Sequence, residues 1–355
     1  MTFFPNYPDT SAANLEAIQN MGVEVIQPPL FSDLRAYLKE YGSEYSLVIL
    51  SRADIAAQHL SVVRYYAPQA KVVFDTVDLH FLREERQVKL SGSAEQTKRA
   101  ERRRRQELTL VKLADLTLVV SPLEKAILEA QVPGCTIQVL PTIQGLTLRN
   151  CPGFDDRTDL LFIGGFDHPP NVDAVLHFVS KVFPHIQDKI PGIVFHVIGS
   201  NTPACIFDLA GPGIRVHGRI PDVEPLFDRC RLSVAPLRYG AGVKGKVNQS
   251  MALGVPVVAT SIAAEGMHLE HEHNILIADE PEEFANEVVR LWNDPELWNN
   301  LVGNGYKNIQ MHFSTAAAQA KIDQLLAWAG LNAGTQEERE ANPNDRPSLA
   351  FIEPS

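Results

Sequence analysis

Cysteine is scarce in this chain. Four residues, at positions 135, 151, 205 and 230, show neither a CxxC pair nor another metal-binding spacing, so buried or incidental thiols are expected. Long apolar runs are lacking too. No stretch approaches the roughly 18 uninterrupted apolar residues of a membrane-spanning helix, and the N-terminus lacks the basic-then-apolar pattern of a secretory signal. A reducing cytoplasm is the expected location. Positive charge is in deficit: 32 Lys and Arg against 43 Asp and Glu give a net charge of −11. That balance argues against bulk nucleic-acid binding, although local patches can still be basic.

What is present fits a globular protein, with 45% hydrophobic and 21% charged residues. A chain of 355 residues is long enough for two domains of ordinary size. Short apolar runs alternate with helical patterns throughout. The first half offers strands at Val23–Gln27, Ser46–Leu50, Lys71–Asp75, Leu116–Ser121 and Ile137–Leu140. The second offers Leu160–Ile163, Ile193–Ile198, Ile214–His217, Leu232–Leu237, Val255–Ala259 and Ile275–Ala278. Between them lie helical stretches such as Ser11–Met21, with Ser11 as N-cap and Gly22 as the stop. Two alternating series predict an α/β protein with two doubly wound, Rossmann-like parallel sheets. Pro, Gly, Asn and Asp collect at Pro141–Arg157, the expected linker, and the polar residues from 331 to 355 read as a disordered tail.

The stretch Pro236–Gly266, PLRYGAGVKGKVNQSMALGVPVVATSIAAEG, carries the most chemistry. A strand runs into a turn with glycines at 240, 242 and 245 and lysines at 244 and 246. A short helix, Gly254 and a second strand follow. This is a βαβ unit whose turn lies at the carboxyl edge of the sheet, where such folds bind ligands. Glycine admits close backbone approach, lysine brings charge and the helix N-terminus adds its dipole, a combination suited to a diphosphate. A tight, solvated connection is the plainer alternative. Lys246, entering the helix just after Gly245, is the stronger phosphate candidate of the two lysines. Neither Lys246 nor Gln249 falls where the apolar pattern places core. A second helix start follows strand Leu160–Ile163, where Gly164, Gly165 and Phe166 precede His168 and Pro169–Pro170.

These segments resemble the donor-binding region of the retaining glycosyltransferases of the GT-B fold, the large family 4 group. The similarity runs through LLFIGGFDHPPNVDAV (160–175), FHVIGS (195–200), GAGVKGK, PVVAT and AAEGM (263–267), and in the first half through VVFDTVDLHFLREERQ (72–87). Most of residues 1–330 is covered, by motifs specific for the superfamily and not for one sugar. The resemblance implies an N-terminal, acceptor-side domain at 1–145 and a nucleotide-sugar domain at 157–313. A helix at 314–330 would cross back to the first domain. Such proteins open with a buried strand, whereas Met1–Pro5 looks like the second strand, so the N-terminal domain is expected to lack its first βα unit.

By the same resemblance Gly164, Gly165, Phe166, Gly242, Lys244, Lys246, Gln249 and Glu265 would bind the donor, and Asp78 and His80 would carry the catalytic role on the acceptor side. The family's glutamate pair falls on Ala241 and Gln249, so both carboxylates are absent. Gln249 still has donor and acceptor capacity for ribose hydroxyls. Val77 stands where a histidine is common, with His80 three residues on, and Asp75 joins Asp78 in a DxxD pattern that more often serves caps and loops than a metal. No metal and no cofactor is expected, because lysines and helix ends supply the positive charge. The donor would be a nucleotide-diphospho-sugar and the acceptor a glycan, a lipid-linked sugar or another hydroxyl. Lys98–Arg105, KRAERRRR, reads as a solvated helix face, with peripheral contact to the inner face of an anionic membrane as the functional alternative and nucleic acid disfavoured. A non-catalytic nucleotide- or glycan-binding protein, or partner of a catalytic module, is the second reading, and a GT-B epimerase the third.

Overall fold

A computed structural model of the chain describes residues 1–6, 12–27, 30–145, 151–331 and 349–352. Two compact units emerge. Unit 1 takes Met1–Leu140 and the chain from Gln319 onward; unit 2 takes Pro141–Ala318.

Unit 1 is built on β1 (Thr2–Phe3), β2 (Glu24–Val25), β3 (Leu47–Ser51), β4 (Lys71–Asp75), β5 (Leu116–Val119) and β6 (Ile137–Val139). Leu47–Ser51 is buried at every position and Val72, Val73 and Phe74 are wholly enclosed, the near-continuous apolar runs required of parallel strands covered on both faces. On one face pack the helices Leu34–Tyr41, Ala53–Tyr66 and Ala94–Leu113, through Tyr37, Leu60, Val63 and Leu110. On the other, Leu325 and Leu326 of helix Thr315–Ala329 cover Leu47, Ile49, Val73 and Leu118. The first helix runs Ala12–Asn20; the expected cap Ser11 lies outside the described residues.

Unit 2 comprises β7 (Asp159–Ile163), β8 (Phe195–Ile198), β9 (Ile214–Gly218), β10 (Cys230–Ala235), β11 (Val257–Ala259) and β12 (Leu276–Ile277). Its parallel order is β12-β11-β10-β7-β8-β9. The reversal between β10 and β7 is a topological switch point, so the loops after these strands border a crevice at their carboxyl ends. Phe178, Phe183, Phe195 and Phe284 form an aromatic cluster on one face, with centroids 4.7–6.0 Å apart.

The tail departs from expectation. Leu349–Ile352 is a strand, β13, and it pairs in parallel with β1 on one side and β3 on the other. Among the described residues the unit 1 sheet therefore reads β2-β1-β13-β3-β4-β5-β6. The expectation of a wholly disordered 331–355 is corrected here, while residues 332–348 and 353–355 lie outside the described ones. In the sheet, the far end of the chain takes the place between β1 and β3. The physical reason is that β1 and β3 each present a row of backbone donors and acceptors that a buried sheet must pair. An apolar LAFI segment satisfies both edges at once.

Candidate nucleotide-sugar site in unit 2

The carboxyl ends of β7, β8, β9 and β10 open onto a cavity of about 580 Å3, within the size range of small-molecule sites. Two helices begin at its wall. Pro169–His177 starts with prolines in its first turn, where the missing NH groups cost nothing, and with His168 as N-cap. Gly245–Ala252 starts from Lys244, whose backbone is extended at φ −90° and ψ 92°. The positive dipole ends of both helices thus border one space, a ready site for an anion.

Close backbone approach shapes the wall. A Cβ on Gly199 would sit 2.1 Å from the Gly164 carbonyl and 2.6 Å from the Phe166 ring; one on Gly164 would sit 2.8 Å from Asn171. Between them, Gly164 NH donates to Ile198 and Phe166 NH to Ser200, both at 3.0 Å, which locks the turn after β7 against the end of β8.

Lys246 is the centre of the site. Its Nζ donates to Asn171 Oδ1, a short contact, and lies 4.9 Å from the centroid of the Phe162 ring. Asn171 Nδ2 in turn donates to the Gly165 carbonyl at 2.6 Å. Burial, and after it the charge of Lys244, pulls the Lys246 ammonium down to about 7. Lys246 is thus partly enclosed and hydrogen-bonded, not a residue outside the packed interior. The apolar pattern missed this because a lysine stem packs as hydrocarbon while its head finds a polar partner. Lys244 is buried and pairs with Glu265 Oε1 at 3.2 Å.

Of the residues expected at the donor, Gly164, Gly165, Lys244, Lys246 and Gln249 line the cavity, as does Ala241. Phe166, Gly242 and Glu265 do not. The Phe166 ring is buried against Phe162 at 6.4 Å and packs in the core, because an apolar side chain gains more there than at a polar rim. Gly242 sits in the left-handed region at φ 69°, where the turn needs glycine. Glu265 meets the site through Lys244. Asn171, Ser200 and Arg219 also line the cavity and had no role assigned from sequence. Arg219 had a usable signal: it directly follows β9 at its carboxyl end.

In unit 1 the structure brings Asp78 and His80 together, with His80 Nε2 2.9 Å from Asp78 Oδ1. Asp78 also pairs with Arg83, and Asp75 accepts from Ser51 Oγ at 2.8 Å and from Val77 NH at 3.2 Å. Each of these carboxylates has a protein partner. Among the described residues no cluster of His, Cys, Asp and Glu is arranged to hold a metal. Val77 has φ 62°, an outlier for a β-branched residue, stored in the turn between the two aspartates. Glu107 went unnoticed in the sequence. It is buried, accepts from the NH groups of His80 and Phe81 at 3.2 Å each, and stands 3.7 Å from the His80 ring. Burial pushes its carboxyl up to about 8, with the Asp78 charge adding to the rise.

Residues 157–294 match the family model described as glycosyl transferases group 1. That segment contains every residue named in the unit 2 cavity. Among sequence relatives, an uncharacterized protein of the cps region of Klebsiella pneumoniae is 23% identical over 184 residues, 49% of this chain and 46% of that one. YtcC of Bacillus subtilis is 22% identical over 192 residues, 50% of this chain and 47% of that one. The matches thus span about half the length of these relatives. Solved structures show the fold. HepE from Anabaena, in complex with UDP, superposes with a TM-score of 0.70 at 14% identity, covering 92% of this chain and 99% of that one. Sucrose-phosphate synthase from Thermosynechococcus elongatus gives 0.67 at 18%, covering 92% and 98%. The architecture is therefore that of GT-B proteins, with two Rossmann-like units. No helix among the described residues is long and apolar enough to cross a membrane.

Proposed function

We propose that the chain is a glycosyltransferase that holds a nucleotide-diphospho-sugar in the unit 2 cavity and passes the sugar to a hydroxyl of a glycan, a lipid-linked sugar or another acceptor, with retention at the anomeric carbon. The observation that carries this is the convergence of two helix N-termini and Lys246 on one cavity of about 580 Å3. As the bond from the anomeric carbon to the diphosphate breaks, charge builds on the leaving oxygen. Fixed dipoles and an ammonium in a partly enclosed site stabilise that charge without reorganising. Positive charge supplied by the protein would do the work of a divalent ion, so turnover without added metal is part of the proposal. In unit 1, Asp78 and His80 are the candidates for handling the acceptor hydroxyl.

The reading is supported by the family model over the same residues and by structural likeness to HepE in complex with UDP-glucose. UDP-sugars are accordingly the donors to try first. Calorimetry with UDP-, GDP- and dTDP-sugars tests the site, and turnover of the best binder in EDTA tests the chemistry. Absence of binding by all three classes sinks the proposal; loss of activity in EDTA sinks its metal-free part.

A second reading, a non-catalytic nucleotide- or glycan-binding protein, is favoured by one observation: Ala241 and Gln249, at the usual glutamate positions, both line the cavity and neither is a carboxylate. Binding without turnover across a panel of acceptors is its signature.

A further inference from the structure

A second concavity lies in unit 1, between the helices Ala53–Tyr66 and Ala94–Leu113, with a volume of about 470 Å3. Leu60 and Leu110 form its apolar floor, and Arg102 and Arg105 stand exposed on its rim. The four consecutive arginines divide by helical geometry. Arg103 pairs with Asp54 at 2.5 Å and Arg104 with Glu85 at 3.2 Å. Arg102 and Arg105, three apart and so on one face, have no carboxylate partner among the described residues.

The same face continues through Gln106, Thr109 and Leu113, and the facing helix through Ala57, Ser61 and Tyr65. At the far end both stripes become apolar: Leu113 is 52% and Tyr65 75% exposed. The two helix ends are joined there, because Arg64 donates to the Leu113 carbonyl at 2.8 Å. From Arg105 to Leu113 the helix rises about 12 Å. A basic end and an apolar end thus share one exposed groove. Helix Ala94–Leu113 carries seven cationic residues against three carboxylates in a chain of net charge −11. Complementarity points to an anionic partner that also offers hydrocarbon.

We propose that this groove docks on an anionic lipid bilayer, with Arg102 and Arg105 taking lipid phosphates and Leu113 and Tyr65 entering the acyl boundary. The contact is separate from the unit 2 cavity and holds whether or not that cavity transfers sugar.

Sedimentation of the full chain with vesicles tests it. The expected result is binding to phosphatidylcholine vesicles that contain phosphatidylglycerol, weakened by salt, and none to phosphatidylcholine alone. The double variant Arg102→Ala, Arg105→Ala should bind about thirtyfold more weakly. Leu113→Ser should lose several-fold, and all variants should melt like wild type, since the altered side chains are exposed. The proposal is overturned if wild type stays in the supernatant with anionic vesicles, or if the double variant sediments like wild type. It is also overturned if inorganic phosphate at millimolar concentration releases the protein, which would make the groove an ion site. RNA that competes as well as the anionic vesicles would assign it to nucleic acid instead.

Discussion

Lys246 and Asn171 join the two ligand-facing turns of unit 2: the lysine ammonium donates to Asn171 Oδ1, and Asn171 donates onward to the Gly165 carbonyl at 2.6 Å. The chain of two hydrogen bonds sets the helix start at Gly245 against the glycine turn after β7. It also places a lysine with an acidic shift where a diphosphate would lie.

The first prediction concerns pH. With its ammonium at about 7, Lys246 is roughly half charged in neutral solution. A bound diphosphate favours the charged form, so binding takes up a proton. Because a phosphate's last ionisation, near 6, is already complete, affinity should fall as pH rises from about 7 to 9. Lys246→Met should abolish that slope. Titrations in buffers of different ionisation enthalpy measure the proton uptake directly; zero uptake refutes the assignment.

Replacing the lysine should weaken binding. Lys246→Ala leaves Asn171 Oδ1 without its donor, worth about 1–3 kcal/mol for a buried polar group, and removes a charge-assisted contact worth about 1.5–3 kcal/mol to the ligand. Nucleoside diphosphate affinity should drop roughly tenfold to a hundredfold. Gln249→Ala should lose only about 0.5–1.5 kcal/mol of binding and melt like wild type. Equal effects of the two substitutions would remove Lys246 from its special place.

Gly199→Ala tests the wall itself. Its Cβ would lie 2.1 Å from the Gly164 carbonyl, so backbone has to move. Overpacking of this kind costs about 1–3 kcal/mol, occasionally more, and the shift would close the cavity on the β7 side. Loss of nucleotide binding with a lowered melting temperature is expected; an unchanged variant would show that the wall is slack.

Glu107 makes unit 1 sensitive to pH. Its carboxyl is raised from the ordinary range to about 8 in the fold, so the folded chain holds a proton that the unfolded chain releases near 4.5. Its contribution to stability is therefore full below about 4.5 and is lost as pH rises towards 8. Subtracting the stability–pH profile of Glu107→Gln from that of wild type should isolate this downward slope. A difference that stays flat from pH 5 to 8 contradicts it.

Ending the chain after Leu331 should remove β13 from the middle of the unit 1 sheet. β1 and β3 would then lose their shared neighbour and leave backbone groups unpaired. Hydrogen exchange should report loss of protection at Thr2–Phe3 and Leu47–Ser51 while β10 and β11 in unit 2 stay protected. Unaltered protection at Leu47–Ser51 would mean that β13 adds nothing.

Sequence alone determined the periodic part of this protein. The apolar runs Lys71–Asp75 and Asp159–Ile163 emerged as strands within a residue or so of where their pattern placed them, because a parallel strand buried on both faces announces itself. The same logic located the glycine-rich turn at 240–245 and its lysines, since a turn with that composition has few uses at a sheet's carboxyl edge. Tertiary structure decided the rest. Which phenylalanine packs and which faces ligand, Phe166 included, depends on the depth of the neighbouring layer. The roles of Asn171, Glu107 and Arg219 arise from partners 75, 27 and more residues away, or from a cavity wall built by several strands. The place of Leu349–Ile352 depended on a slot created by strands at the opposite end of the chain. Local pattern records what a segment prefers; only the assembled sheet supplies the unpaired edges and enclosed charges that tell it where to go.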